Sequence, residues 1–575
     1  MRDLVSALHA HLKVAMSELG VAEEDWEDLL AGSTDSAFAD VAMPCHSLAR
    51  VLRKAPSAIA DDVLGALGSS TAGLCSVSSV NGFLNFTADT EWLAMRMEEA
   101  LRDSRLRVES EDSRVIVIDY SSPNVAKHMH VGHLRSTVIG DALNRMLSHK
   151  GHTVVAENHV GDWGTPFGML IEHLIDIGVD TPSEQVDLGN FYSDARAKFD
   201  SDAAFADRSR KRVVRMQANE PDTIAHWQML VDRSLIHFND VYQMMGVLLT
   251  DDDLAGESKY EAALPRVVEA LEEAGLLEES EGAKVVYPEG WTNREGEPMP
   301  LIIQKADGGY NYATSDLACI LDRIHNVGSR DFLYVVGAEQ AQHFAMVFEV
   351  ARSAGFMDEA VNAIHVPFGF VMGTDGKKLA SRTGGAVRLK DLLLESVARA
   401  DAMIAEKNPS LSDDERAEVA HMLGIGSVKY ADLSTDRTNN YTFDWEKMLS
   451  FEGNTAPYLQ YAHARICSIF SKAEIERESI HQASISLEHE REQALARALL
   501  TFPEAIDAAC ATYSPHKLAT QLHATAQAFA SFYEACPVLP SQGETRASRL
   551  ALCDLTARTL ETGLGLLGIQ APQRM

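Results

Sequence analysis

Residues 121–137 read SSPNVAKHMHVGHLRST, with His128, His130 and His133 inside six positions and Gly132 between the last two. Histidines three apart on a helix could ligate zinc. No third ligand stands at a usual spacing, and neither His-Glu-x-x-His nor His-x-x-Glu-His occurs. A second reading makes the rings packing residues satisfied by their neighbours. The third is phosphate chemistry. The free N–H groups at a helix N-terminus favour anions, and a glycine lets a phosphate come close. Neutral imidazoles donate hydrogen bonds to phosphate oxygens without adding a permanent charge, which suits a transition state. The stretch is neither a GxxxxGK[ST] loop nor a GxGxxG fingerprint.

These residues need a strand before them and a helix after them. RVIVIDYSS (114–122) has the short apolar run of a buried parallel strand. LRSTVIGDALNRMLSHKG follows as a helix stopped at Gly151, and HTVVAENHVGDWG is a second strand ending in a glycine turn. Strand, helix and strand at this spacing start a Rossmann-like doubly wound parallel sheet, so the fold class is α/β. The alternation stops over about 183–300, read as a helical insertion, and resumes through ADGGYNYATSDLACILDRI and DFLYVVGAEQAQHF. Residues 1–112 read as a small α/β domain. Its helices cover Asp3–Leu19 and Thr90–Leu101, and strands over 75–86 turn at Asn81-Gly82. The catalytic domain is expected over 113–395, a helical linker over 396–450, and an all-α bundle over 451–575.

The chain has 575 residues, 46% of them hydrophobic, enough for several cores. Its net charge is −33, which alone argues against nucleic-acid binding. The charge is uneven: residues 451–575 hold 10 Lys and Arg against 13 Asp and Glu, so a basic face could form there. Seven scattered cysteines without a CxxC pair point to reduced, mostly buried thiols rather than disulfides or zinc. No apolar run suits a membrane span, and MRDLVSALHAHLKVAMSELG lacks a signal peptide's apolar core, so a cytoplasmic protein is expected.

HVGH after a buried strand resembles the His-Ile-Gly-His signature of class I aminoacyl-tRNA synthetases. The whole stretch 121–137 resembles the arginyl-tRNA synthetase family. So do ENHVGDWGTPFG (157–168), YNYATSDLA (310–318), VGAEQAQHF (336–344), residues 430–466 and LLGIQAPQRM (566–575), in order along nearly the whole chain. The resemblance implies ATP-dependent activation of L-arginine and transfer to the 3′ end of tRNA(Arg), with ATP used as its Mg2+ complex. Activation is expected to need tRNA, and the protein is expected to be a monomer.

By the same resemblance His130, Gly132 and His133 contact ATP. GKKLASRTGG (376–385) matches the second class I signature, Lys-Met-Ser-Lys-Ser. Lys378 takes its first lysine and Ser381 stands at its second; with Arg382 they are expected to meet the ATP phosphates. Lys127, just upstream of the first signature, is expected to replace the missing lysine. The alternative for Lys377, Lys378 and Arg382 is an exposed charged loop.

A guanidinium is a planar fork of five donors, so its pocket needs carboxylates and a carbonyl. The family's pocket maps to Asp119, Asn124, Tyr312, Asp316 and Gln340. Family members often carry Glu at the position of Asp119. Tyr312 and Asp316 at i, i+4 share a helix face. Such a pocket rejects citrulline without editing, so the insertion is read as a guide for the tRNA acceptor end. The basic run RSRKRVVRMQ (208–217) either touches the acceptor stem or balances nearby acids. Tyr458, Tyr461, Arg465 and Tyr533 are expected tRNA contacts, with Phe532 in the bundle core. Asn85 is a candidate contact to the tRNA elbow, its alternative being a strand-end residue. Two rival functions are a small-molecule nucleotidylyltransferase of the same fold and a catalytically impaired tRNA-binding paralogue. Only the absent second lysine suggests the latter.

Overall fold

The computed structural model describes residues 1–33, 39–178, 188–379 and 387–575. The N-terminal domain folds on a sheet of β1 (Ala31–Gly32), β2 (Val41–Pro44), β3 (Cys75–Val80) and β4 (Phe83–Ala88) in the order β1-β2-β4-β3. Helices Arg2–Glu18 and Thr90–Arg102 flank it. Asn81 and Gly82 both take positive φ, 51° and 80°, the turn that two-residue hairpins need.

The catalytic sheet is built from β5 (Val115–Asp119), β6 (Thr153–Glu157), β10 (Asp331–Tyr334) and β11 (Asn362–His365), ordered β11-β10-β5-β6. Every pairing is parallel. β5 lies inside the sheet, which explains its unbroken VIVID run; Val117 and Ile118 are fully buried. The signature helix Val131–His149 connects β5 to β6, and the helix Ala341–Ser353 connects β10 to β11. Between β6 and β10 comes the insertion. Helices Leu188–Ser201, Ala203–Gln217 and Pro221–Met245 precede an antiparallel sheet of β7 (Glu278–Ser280), β8 (Ala283–Val286) and β9 (Leu301–Gln304).

Helices Leu389–Lys407 and Asp413–Leu433 follow. The expectation of uninterrupted helix after 396 is corrected by a short parallel pair, β12 (Val371–Met372) with β13 (Tyr441–Thr442). The C-terminal bundle packs helices Ala456–Ala473, Glu490–Leu500, Phe502–Ala511, His516–Ala535 and Gly543–Leu566. All seven cysteines are free thiols, six of them buried. Among the described residues no helix is long and apolar enough to cross a membrane.

Candidate active site

The loop from β5 to the signature helix is strained and pinned. Ser121, Ser122 and Ala126 hold positive φ, at 74°, 48° and 61°. Its amides are held from several elements: Ser121 N donates to Ser136 Oγ (2.9 Å), Ser122 N to Asn158 Oδ1 (3.0 Å) and Ala126 N to Ser234 Oγ (2.9 Å).

His130 is the N-cap of the signature helix. Its Nδ1 accepts from Gly132 N at 3.0 Å, and His133 Nδ1 accepts from His130 N at 3.0 Å. Both Nδ1 atoms accept, so each neutral ring carries its proton on Nε2. The rings lie 4.0 Å apart. Burial lowers the pKa of His130, and burial and the neighbouring His130 push His133 down to about 3. Two uncharged imidazoles thus offer Nε2–H donors beside a helix N-terminus. The sequence spacing suggested metal, packing or phosphate; a shared cap on a cleft wall favours phosphate.

The cleft is lined by His130, Gly132, Glu339, Phe370 and Lys378 among others. Lys378 enters from the turn following β12, bridged back to Met372, and rests its ammonium 3.4 Å above the Phe370 ring. Ser381 and Arg382 lie outside the described residues. Lys127, from the other side, sits 4.3 Å over Tyr192 of the insertion and is close enough to His130 to oppose its protonation. Arg135, one turn into the helix, is fully buried. It binds Asp432 (3.1 Å) and the Asn439 carbonyl (2.8 Å), tying residues 432–440 under the cleft.

Across the sheet, Tyr312 is 70% exposed and starts the helix Tyr312–His325, with Asp316 one turn on. Gln340 is exposed at the start of the neighbouring helix, and Asn124 is exposed on the strained loop. Asp119 is the fifth residue of the expected pocket. It is buried at the end of β5, where Arg323 Nη2 donates to its Oδ2 at 2.7 Å. The same fully buried guanidinium binds Glu157 (2.7 Å) at the end of β6 and stacks on Tyr334. Asp119 thus pairs with an internal cation through Oδ2, while Ser122 Oγ donates to its Oδ1 at 3.2 Å.

Two residues near Asp316 were not among the expected site residues, although His343 lies within the stretch VGAEQAQHF. His343 donates Nε2–H to Asp316 Oδ2 at 2.5 Å. Glu257, from the insertion, faces Asp316 and His159, and burial pushes its carboxyl up to about 7.

The basic run is largely paired with acids. Arg208 binds Glu172 and Asp176, Arg212 binds Glu172 and Glu220, and Lys211 binds Asp207. Of its two readings, charge balance is the one these pairs favour. In the bundle, Tyr461 is 44% exposed and edges Phe451, while Arg465 stacks 4.4 Å from the Tyr533 ring. Tyr458 is half-buried against His523, and Phe532 is core, as expected. Asn85 lies inside β4 between Ala42 and Ser78, which corrects its alternative as a strand-end residue.

A parallel sheet whose strand-to-helix turn presents a neutral His-x-Gly-His cap, with a lysine-bearing loop across the cleft, is the catalytic domain of a class I aminoacyl-tRNA synthetase. Residues 96–445 match the family described as "tRNA synthetases class I (R), catalytic domain". Residues 6–88 match the arginyl tRNA synthetase N-terminal domain, and 459–575 the DALR anticodon binding domain. The chain is 48% identical to an arginine–tRNA ligase of Thermobifida fusca over 94% of both chains. It is 45% identical to that of Cellvibrio japonicus over 100% of both. Among solved structures it resembles the arginyl-tRNA synthetases of Plasmodium falciparum and Thermus thermophilus. The TM-scores are 0.84 and 0.81, at 25% and 27% identity, covering 99% of this chain and 99% and 100% of theirs. The chain belongs to the arginyl-tRNA synthetase family.

Proposed function

We propose that this enzyme joins L-arginine to the 3′ end of tRNA(Arg) in two steps at the one cleft. The arginine carboxylate attacks the α-phosphorus of ATP, supplied as its magnesium complex. The bond to the bridging oxygen breaks and pyrophosphate leaves. A terminal ribose hydroxyl of tRNA then takes the arginyl group and AMP departs. The observation that carries this reading is the neutral pair His130 and His133, which cap one helix N-terminus through their Nδ1 atoms, His130 lining the same cleft as Lys378. Donors placed where charge develops lower the barrier without binding ATP itself more tightly.

Lys127 and Lys378 approach the triphosphate from opposite sides, and their resting places on Tyr192 and Phe370 store them near the cleft. Asp119, Asn124, Tyr312, Asp316 and Gln340, joined by Glu257, form the arginine pocket. Citrulline lacks the cation, so it leaves these acids unpaired, at about 1–3 kcal/mol or more for each lost charge-assisted bond. That is discrimination without an editing site. Asn85, Tyr458, Tyr461, Arg465 and Tyr533 are the proposed tRNA contacts. The enzyme works as a monomer in the cytoplasm.

Arginine-dependent ATP–pyrophosphate exchange tests the order of events. Exchange is expected only with tRNA(Arg) present. Exchange without tRNA removes the coupling, and none in either condition supports an impaired tRNA-binding paralogue.

A further inference from the structure

Asp316 is not a bare carboxylate in the empty pocket. His343 lies in the first turn of the helix Ala341–Ser353 and hydrogen-bonds its Oδ2 at 2.5 Å. Both side chains are partly exposed, His343 by 27% and Asp316 by 18%, so the pair reaches solvent rather than being sealed in the core. The His343 ring stands edge-on to Phe344, 5.5 Å away at 74°, which limits its rotation. Among the described residues Asp316 Oδ1 accepts from no side chain. The other groups facing Asp316 are His159, Cys319, Tyr334 and Glu257. None of these is hydrogen-bonded to it, and Glu257 is an acid that repels it when ionised.

We propose that His343 is a positioning residue for amino-acid selection. By taking Oδ2, it fixes the Asp316 carboxylate and leaves Oδ1 for one arm of the substrate guanidinium. A carboxylate on a helix turns about two side-chain torsions, whereas a planar fork accepts partners only near its own plane. A donor locked on one oxygen removes that freedom before arginine arrives, so less ordering accompanies binding. The inference rests on Asp316 lying in the arginine pocket. His343 itself needs only a neutral N–H.

The test is a double-mutant cycle on the full-length enzyme, read by tRNA arginylation. H343A is expected to raise the arginine KM about tenfold, the scale of one hydrogen bond to a charged group, with kcat and the ATP KM unchanged. H343Q, which keeps an N–H at similar reach, should restore most of the loss. D316N should raise the arginine KM more, and D316N/H343A no further than D316N alone. If D316N leaves the arginine KM unchanged, the pocket assignment fails. If D316N raises it while H343A does not, the role of His343 fails. Equal losses from H343A and H343Q, or a matching rise in the ATP KM, would assign His343 a purely structural part and overturn the proposal.

Discussion

Glu257 comes from the insertion into the proposed arginine pocket without an ion pair among the described residues, and burial pushes its carboxyl up to about 7. A guanidinium binds the ionised form. Arginine binding should therefore weaken as pH falls through 7, where protonation of the empty pocket competes with the substrate. The arginine KM, measured between pH 8 and 6 at saturating ATP and tRNA, should climb towards about tenfold per pH unit on the acid side. E257Q should have a high KM with no such slope; a slope that survives in E257Q would exclude this carboxyl as its source. His130, Gly132 and His133 stand out by a local pattern, whereas Tyr312 and Asp316 come from the family resemblance, their i, i+4 spacing matching the helix Tyr312–His325. Glu257 and His343 do not stand out. A single carboxylate among 84 acidic residues has no local mark, and the partner of Asp119 lies 204 positions away at Arg323.

The signature helix shows why its glycine stands where it does. The φ of Gly132 is not positive; the constraint is a close approach. A methyl there would lie 2.7 Å from His130 Cε1 and 2.8 Å from Nδ1, inside contact distance. G132A should force the ring off the cap and misdirect its Nε2–H. The expected result is a loss of roughly 100-fold in kcat, as for a single transition-state donor. Losing the cap should cost about 1 kcal/mol of stability. Pyrophosphate exchange with tRNA present, together with urea unfolding, reads both quantities, and an unimpaired kcat would dismiss the cap as catalytic. At this scale the strand–helix–strand unit was plain, because period 3.6 and a buried apolar run are strong signals. The pair β12–β13 was invisible. Two-residue strands carry no period, and what holds them is the stitching of 437–440 onto 367–370. Arg437 Nη1 donates to the Pro367 carbonyl at 2.7 Å, and Phe370 N donates to Asn440 Oδ1 at 2.7 Å. That stitching also seats Phe370, the ring under Lys378.

The large parts of the molecule meet at Asp141, fully buried on the signature helix two turns beyond His133. Its carboxylate takes Arg145 Nε (2.9 Å), the Leu248 amide (2.9 Å) and Lys429 Nζ (3.6 Å). Lys429 also reaches the Met245 carbonyl at the end of the insertion's long helix, and burial lowers its pKa to about 8. A Cβ on Gly568 would lie 2.6 Å from Lys429 Nζ, so the C-terminal segment lies directly over this group. D141N removes the one carboxylate that, among the described residues, pairs with the buried Lys429 ammonium, and should destabilise the protein by about 3–5 kcal/mol. K429M should cost much less, since Asp141 keeps Arg145 and Leu248. Equal unfolding losses for the two variants in denaturant would contradict this division. Each part was readable by itself, but their junction was not, because residues 141, 245, 429 and 568 meet only in three dimensions. The paired rings at the start of the same helix carry one more consequence. Active-site groups commonly sit in arrangements that the fold would be firmer without, so evolution exchanges robustness for turnover. Here the rings proposed to act on ATP also close the helix's own open hydrogen bonds. Selection for a firmer fold and selection for faster chemistry therefore act in the same direction at His130 and His133, and drift at either position is opposed twice.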